Sequence, residues 1–356
     1  MSWSLSRGRL SAACVMLCLV FFLTGEVLAA QANVFVYHRF GDDRYPSTNV
    51  SVEVFRRQLE LLRQGDYQVL SLGQVVKRLK AGEPLPERCA VLTIDDGYES
   101  FASGALPLLM QFGYPATLFV STDSVGSPGY LGWEELRRIS AAGVEIGNHS
   151  AAHEHMAAPR AGEDPTAWRE RMRADLARAQ AAFREHLGMD PRLFAYPYGE
   201  YSLPLMELLE ELGFEAAATQ HSGVVSPHSH LLALPRFPMG GSYATFEGFR
   251  DKLRMRALPV LKTEPKETVL RGENPPWLTL TIDPHGDADL SRLSLFVRGR
   301  AESGIVFDPE RPGVVRVRAA SPLSARRTNY TLTAPAKSGG GWYWYSHLWI
   351  RPEMPE

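Results

Sequence analysis

The sequence predicts an α/β fold, a (β/α) barrel followed by a small all-β, sandwich-like unit. Three observations predict it. Short apolar runs alternate with amphipathic stretches from residue 33 to about residue 240. Several of these runs end in turns that carry reactive side chains: Asp95-Asp96-Gly97, His149 to His153, and Pro197-Tyr198-Gly199. Beyond residue 278 the pattern changes to short alternating runs separated by Gly, Pro and Asp.

The chain starts with a targeting pattern. Arg7 and Arg9 precede an apolar run at 10–23, and Val27-Leu28-Ala29 has the small residues of a cleavage site. Residues 1–29 are therefore expected to be a secretory signal peptide. The run falls short of the roughly twenty residues a membrane span needs. The expected product is exported, periplasmic or extracellular, with no stable membrane span after cleavage. Losing Arg7, Arg9 and Glu26 takes the basic and acidic counts from 38 and 40 to 36 and 39, a formal charge of −3. No basic excess remains to hold nucleic acid. Cys14 and Cys18 leave with the leader, and Cys89, inside an apolar run, is expected to be a small core residue.

The mature part, from residue 30, begins with a strand over Asn33 to Tyr37 that ends in His38. A capped helix follows Ser51. Cys89 to Leu92 is a continuous apolar run, the mark of a strand buried on both faces, and Gly97 permits a sharp exit after Asp96. An apolar helix over Phe101 to Phe112, a strand over Ala116 to Ser121 and a helix over Trp133 to Ala142 lead to the run Gly143 to Asn148. Asp164 and Pro165 open a long helix, and Gly188 ends it. Trp168, Met172, Leu176, Ala179, Phe183 and Leu187 form its apolar stripe, which reads as core. Strands near Phe194, Phe214 to Thr219 and Leu232 to Met239 complete the set. Pro259, Pro265, Pro275 and Pro276 mark 256–277 as a linker, so 30–255 and 278–356 are expected to be separate domains. In the second, Trp342-Tyr343-Trp344-Tyr345 is open to two readings, packing or stacking on sugar rings.

Two adjacent carboxylates at a strand end repel unless a cation or a shared proton intervenes. A solvated turn is the plain alternative. His149 and His153, four apart, can converge on one ion, and with a carboxylate they form a site that leaves positions open. His155 is an alternative ligand.

Three ordered motifs, Thr93-Ile94-Asp95-Asp96-Gly97, His149-Ser150-Ala151-Ala152-His153 and Pro197-Tyr198-Gly199, resemble the polysaccharide deacetylases of the NodB-homology type, carbohydrate esterase family 4. The resemblance covers about 33 to 240 and implies an irregular (β/α)7 barrel. It implies Asp96, His149 and His153 as ligands of one divalent metal ion, zinc first, with iron, cobalt or nickel open. It implies Asp95 as general base and a backbone N–H of the Tyr198 turn as oxyanion donor. A histidine ahead of the Asp-Asp motif resembles the permuted branch that deacetylates poly-N-acetylglucosamine, which makes His38 the expected general acid. His221, His228 and His230 are the other candidates. One position departs from the family. Where the family has an arginine to hold the catalytic Asp, this chain has Ala195, and Arg236 is the candidate to replace it. The implied function is N-deacetylation of an N-acetylated polysaccharide. Peptidoglycan or chitin-like glycans, or a non-catalytic carbohydrate-binding or export scaffold, are the alternatives.

Overall fold

The computed structural model describes residues 31–356. The expected leader, 1–29, lies outside the described residues. Seven parallel strands form the barrel sheet: β1 (Ala32–Tyr37), β2 (Cys89–Ile94), β3 (Thr117–Val120), β4 (Glu145–Asn148), β5 (Leu193–Ala195), β6 (Ala216–Ala218) and β7 (Phe237–Pro238). Their spatial order is β7-β1-β2-β3-β4-β5-β6. A side strand, Gln68–Leu70, pairs with the first half of β2. The segment from Leu234 to Pro238 ties the ends together. Leu234 N–H donates to the Ala217 carbonyl, while Phe237 pairs with Phe35. β7 is only two residues long, and the Met239 N–H beyond it still donates to the Val36 carbonyl at 2.8 Å.

β1 and β2 are buried at every position, as a parallel strand covered on both faces must be. The long helix runs Pro165–Leu187, with Asp164 Oδ1 accepting from the Thr166 and Ala167 N–H groups and Gly188 in a left-handed cap. Its buried face is Trp168, Met172, Asp175, Leu176, Ala179 and Phe183. One member of that stripe is a carboxylate. Among the described residues no helix is long and apolar enough to cross a membrane.

The C-terminal unit is a sandwich of a five-stranded and a four-stranded sheet around Leu278, Leu280, Leu295, Val317, Tyr330, Leu332 and Trp349. The stretch 256–277, expected as a linker, is partly strand. Met255–Ala257 lies beside Trp342–Trp344, and Val260–Glu264 pairs antiparallel with Leu278–Ile282. The prolines break helix there, but they leave room for short edge strands whose partners are distant in sequence. The two hydrophobic patterns also merge. Val269, Leu348 and Ile350 share a cluster with Phe194, Tyr196, Leu205 and Leu208 of the barrel.

The aromatic run divides. Trp344 packs against Phe237 with ring centroids 5.7 Å apart, donates from Nε1 to Ser222 Oγ at 3.0 Å and lies under Lys252 Nζ at 3.7 Å. Tyr343 and Tyr345 flank the sandwich core, and Trp342 is exposed. Three of the four therefore pack.

Candidate active site

β2 ends at Ile94, and the next two residues are Asp95 and Asp96. β1 pairs with β2 in the register Tyr37 to Ile94, so His38 leaves its strand level with Asp95. β4 ends at Asn148 and delivers His149 beside them. β5 ends at Ala195, two residues before the Pro197–Gly199 turn. Parallel strands make these ends face one way, which is why four distant stretches meet at one cleft.

The local backbone is strained there. Of the six described non-glycine residues with positive φ, four belong to this region: Asp96 (75°), Ser150 (67°), His153 (51°) and Tyr198 (59°). Such conformations persist only where the surroundings over-determine them. Ser150 N–H donates to Asn148 Oδ1, and His153 N–H donates to Ser150 Oγ. Ser121 Oγ–H donates to the His149 carbonyl. Asp175, from the long helix, accepts from the Ala151 and Ala152 N–H groups at 2.8 and 3.1 Å. The histidine turn is thus latched from beneath by a buried carboxylate.

Asp96, His149 and His153 come together. Both imidazole Nε2 atoms lie 3.2 Å from Asp96 Oδ1. His149 Nδ1 is 2.7 Å from the Ala195 carbonyl, a contact in which Nδ1 carries the proton. In its neutral form, with the proton on Nδ1, His149 turns the Nε2 lone pair on the carboxylate oxygen. Asp96 Oδ1 is buried and makes no hydrogen bond among the described residues. Lone pairs converging on an orphaned, buried anion are what a cation requires, and the three groups fit a divalent metal ion. Burial pushes Asp96 up, but the facing His149 and His153, with His38 near, outweigh it and hold the carboxyl well below its ordinary value.

Asp95 is held differently. Arg236 Nη1 and Nη2 donate to its two oxygens, each at 2.7 Å, and both side chains are wholly buried. Arg236 also donates to the Thr219 carbonyl through Nε and to Thr93 Oγ1 through Nη1. Burial raises the Asp95 carboxyl, but the guanidinium, His149 and His38 more than offset it, and the group stays ionised below its ordinary range. The role left open at Ala195 is thus met by the residue just before β7.

His155, His221 and His230 are engaged elsewhere, while the His228 backbone N–H donates to Ser226 Oγ. His155 turns to Glu200, with Nδ1 3.1 Å from Oε2, and is not part of the Asp96 cluster. His221 is buried 2.6 Å from Thr219 Oγ1, and burial pushes it down to about 4. His230 Nδ1 accepts from Leu232 N–H. The turn at Tyr198 spends the Gly199 and Glu200 N–H groups on its own carbonyls, and neither bond uses the Tyr198 N–H. Asp175, Ser121 and the Ala195 carbonyl were not singled out in the sequence. Asp175 did carry a signal, as the one carboxylate on an apolar helix face.

The family model for polysaccharide deacetylase matches residues 82–217. The chain carries a polysaccharide deacetylase domain of the NodB-homology type. The matched stretch contains Asp95, Asp96, His149, His153 and Tyr198 and excludes His38 and Arg236. The poly-beta-1,6-N-acetyl-D-glucosamine N-deacetylase of Escherichia coli K12 is 28% identical over 230 residues, covering 55% of this chain and 34% of that protein. The match therefore spans about a third of that relative's length. The protein of the same name from Staphylococcus aureus MRSA252 is 22% identical over 231 residues, covering 62% of this chain and 79% of its own. Among solved structures, IcaB from Ammonifex degensii is 25% identical with a TM-score of 0.55, covering 63% of this chain and 97% of that one. The Streptococcus pyogenes deacetylase PplD, solved with acetate, shares the fold at a TM-score of 0.57 and 19% identity, covering 63% of this chain and 99% of its own.

Proposed function

We propose that this deacetylase domain is a metal-dependent hydrolase that removes N-acetyl groups from an N-acetylhexosamine polysaccharide, with a poly-N-acetylglucosamine-like chain as the favoured substrate. The observation that carries the proposal is the division of labour between neighbouring aspartates. Asp96 faces two imidazoles and Asp95 faces a guanidinium. Asp96, His149 and His153 would hold the ion, zinc first among the candidates. When bound, it would supply Lewis acidity, activating water and polarising the acetyl carbonyl.

The chain's own residues do the rest. Asp95, oriented by Arg236, takes the proton of the attacking water, because a carboxylate committed to a cation is a poor acceptor. The Tyr198 N–H donates to the oxygen on which charge develops. His38, level with Asp95 on the neighbouring strand, gives a proton to the leaving amine. The curated relatives of like name support the choice of glycan. The leader pattern at 1–29 supports an exported, periplasmic or extracellular enzyme. The test is acetate release from short N-acetylglucosamine oligomers, β-1,6-linked against β-1,4-linked, alongside the metal content of the purified protein. Faster release from the β-1,6 oligomer supports the favoured substrate. Preference for the β-1,4 oligomer moves the assignment to chitin-like glycans.

A further inference from the structure

Glu200 follows the Tyr198 turn and is completely buried. Its partners come from far away in sequence. Arg326 donates to it twice, from Nε to Oε1 at 2.8 Å and from Nη2 to Oε2 at 3.0 Å. Arg327 Nη1 donates to Oε1 at 3.3 Å. Both arginines belong to the C-terminal β unit. The third nitrogen of Arg326, Nη1, donates to the Pro352 and Met354 carbonyls at 2.7 and 3.1 Å, tying the chain end to the same point.

The other partner of Glu200 is His155, which stacks on the Tyr198 ring with centroids 4.1 Å apart and an interplanar angle of 22°. The same Tyr198 ring meets His153 at 4.7 Å, and the Arg327 guanidinium lies 5.4 Å from its centroid. Tyr198 itself has φ 59° and ψ 5°, a conformation that a side-chain-bearing residue keeps only when its surroundings impose it. A continuous path of contacts therefore runs from Arg326 through Glu200 and His155 to the strained turn.

We propose that the C-terminal β unit completes the active site, with Arg326 as a positioning residue that fixes Glu200 and so holds the Tyr198 turn in its left-handed conformation. The inference rests on the reading of the Tyr198 N–H as an oxyanion donor given above. Arg326 acts through Glu200, because its three guanidinium nitrogens are committed to Glu200 and to the Pro352 and Met354 carbonyls. Its planar fork supplies two parallel bonds to Glu200, which a lysine ammonium cannot reproduce.

The test uses the full chain with Arg326→Ala, Arg326→Lys and Glu200→Gln. The first readout is NMR of the His155 ring, which the stacked Tyr198 ring should shift upfield in the wild type. The upfield shift should vanish in Arg326→Ala and survive in part in Arg326→Lys. The second is the split between kcat and KM for acetate release from an N-acetylglucosamine tetramer, with metal content measured on the same samples. The kcat of Arg326→Ala should fall tenfold or more with KM within twofold and metal retained, and millimolar guanidinium should restore part of it. If Arg326→Ala does not fold, Glu200→Gln, which keeps the side-chain shape, carries the same comparison. A wild-type His155 signal, an unchanged kcat, or a kcat loss that tracks metal loss overturns the proposal. A wild type that releases no acetate refutes the functional reading instead, and the His155 signal then decides the positioning role alone.

Discussion

Arg236 grips Asp95 through two hydrogen bonds of 2.7 Å, across 141 residues of sequence and with neither side chain exposed. A buried pair of this kind is unforgiving when one partner goes, because the survivor is an uncompensated charge. Arg236→Ala should therefore destabilise the fold by about 3–5 kcal/mol in urea or thermal unfolding and abolish acetate release. Arg236→Lys keeps the charge but offers one point of attachment, so it should fold better and still turn over slowly. A stable, fully active Arg236→Ala protein would show that Asp95 needs no such partner.

The imidazole pair facing Asp96 predicts a strict dependence on all three side chains. Asp96→Ala, His149→Ala and His153→Ala should each lose bound metal and activity together, measured by metal analysis of the purified variants. Near-stoichiometric metal in all three would remove the cluster as the binding site.

Asp175 should matter without touching the cleft. It latches the Ala151 and Ala152 N–H groups beneath His149 and His153. Losing a group hydrogen-bonded to a metal ligand typically costs ten- to a hundredfold in metal affinity, and Asp175→Ala, which frees the turn that carries the ligands, should cost about tenfold. Asp175→Ala should also lose about 1–3 kcal/mol of stability, the scale of buried donors left unpaired. Competition with a fluorescent chelator measures the first and thermal unfolding the second. Unaltered metal affinity would mean that the histidine turn holds itself.

His38 is tested by separating binding from turnover. His38→Ala should keep its metal and slow turnover by roughly a hundredfold or more, the scale of general acid catalysis. An ester substrate, whose leaving group depends less on protonation, should suffer less than an amide. Wild-type activity in His38→Ala, with loss in a His221, His228 or His230 variant, would move the acid to the far end of the barrel.

How legible each feature was depended on how local its cause is. The helix Pro165–Leu187 begins and ends where Asp164 and Gly188 require, because caps are written into adjacent residues. The strands at Met255–Ala257 and Val260–Glu264 were hidden in a proline-rich stretch, since their partners at Trp342–Trp344 and Leu278–Ile282 define them. The strand-end positions of Asp95, Asp96, His149 and His153 followed from motif and spacing. Arg236 was reached only through the gap at Ala195, and its two-point grip depends on the barrel bringing residue 236 under residue 95. Asp175 was legible only as a break in the apolar stripe, three residues after Met172 and four before Ala179, and its partners at Ala151 and Ala152 left no spacing to read. Glu200 and Arg326 had no local signature, because a salt bridge between two folding units leaves no spacing to read.

Metal-dependent N-deacetylation with Asp95 as the base stands or falls on one comparison of acetate release. Wild type and Asp95→Asn are assayed side by side on an N-acetylglucosamine oligomer, each as purified, after chelation and after zinc is restored. Wild type should release acetate, chelation should abolish that release and zinc should restore it. Asp95→Asn should release nothing above background under any condition, although it should bind metal as wild type does. Chelator-resistant release by wild type, or wild-type turnover by metal-loaded Asp95→Asn, would contradict that mechanism.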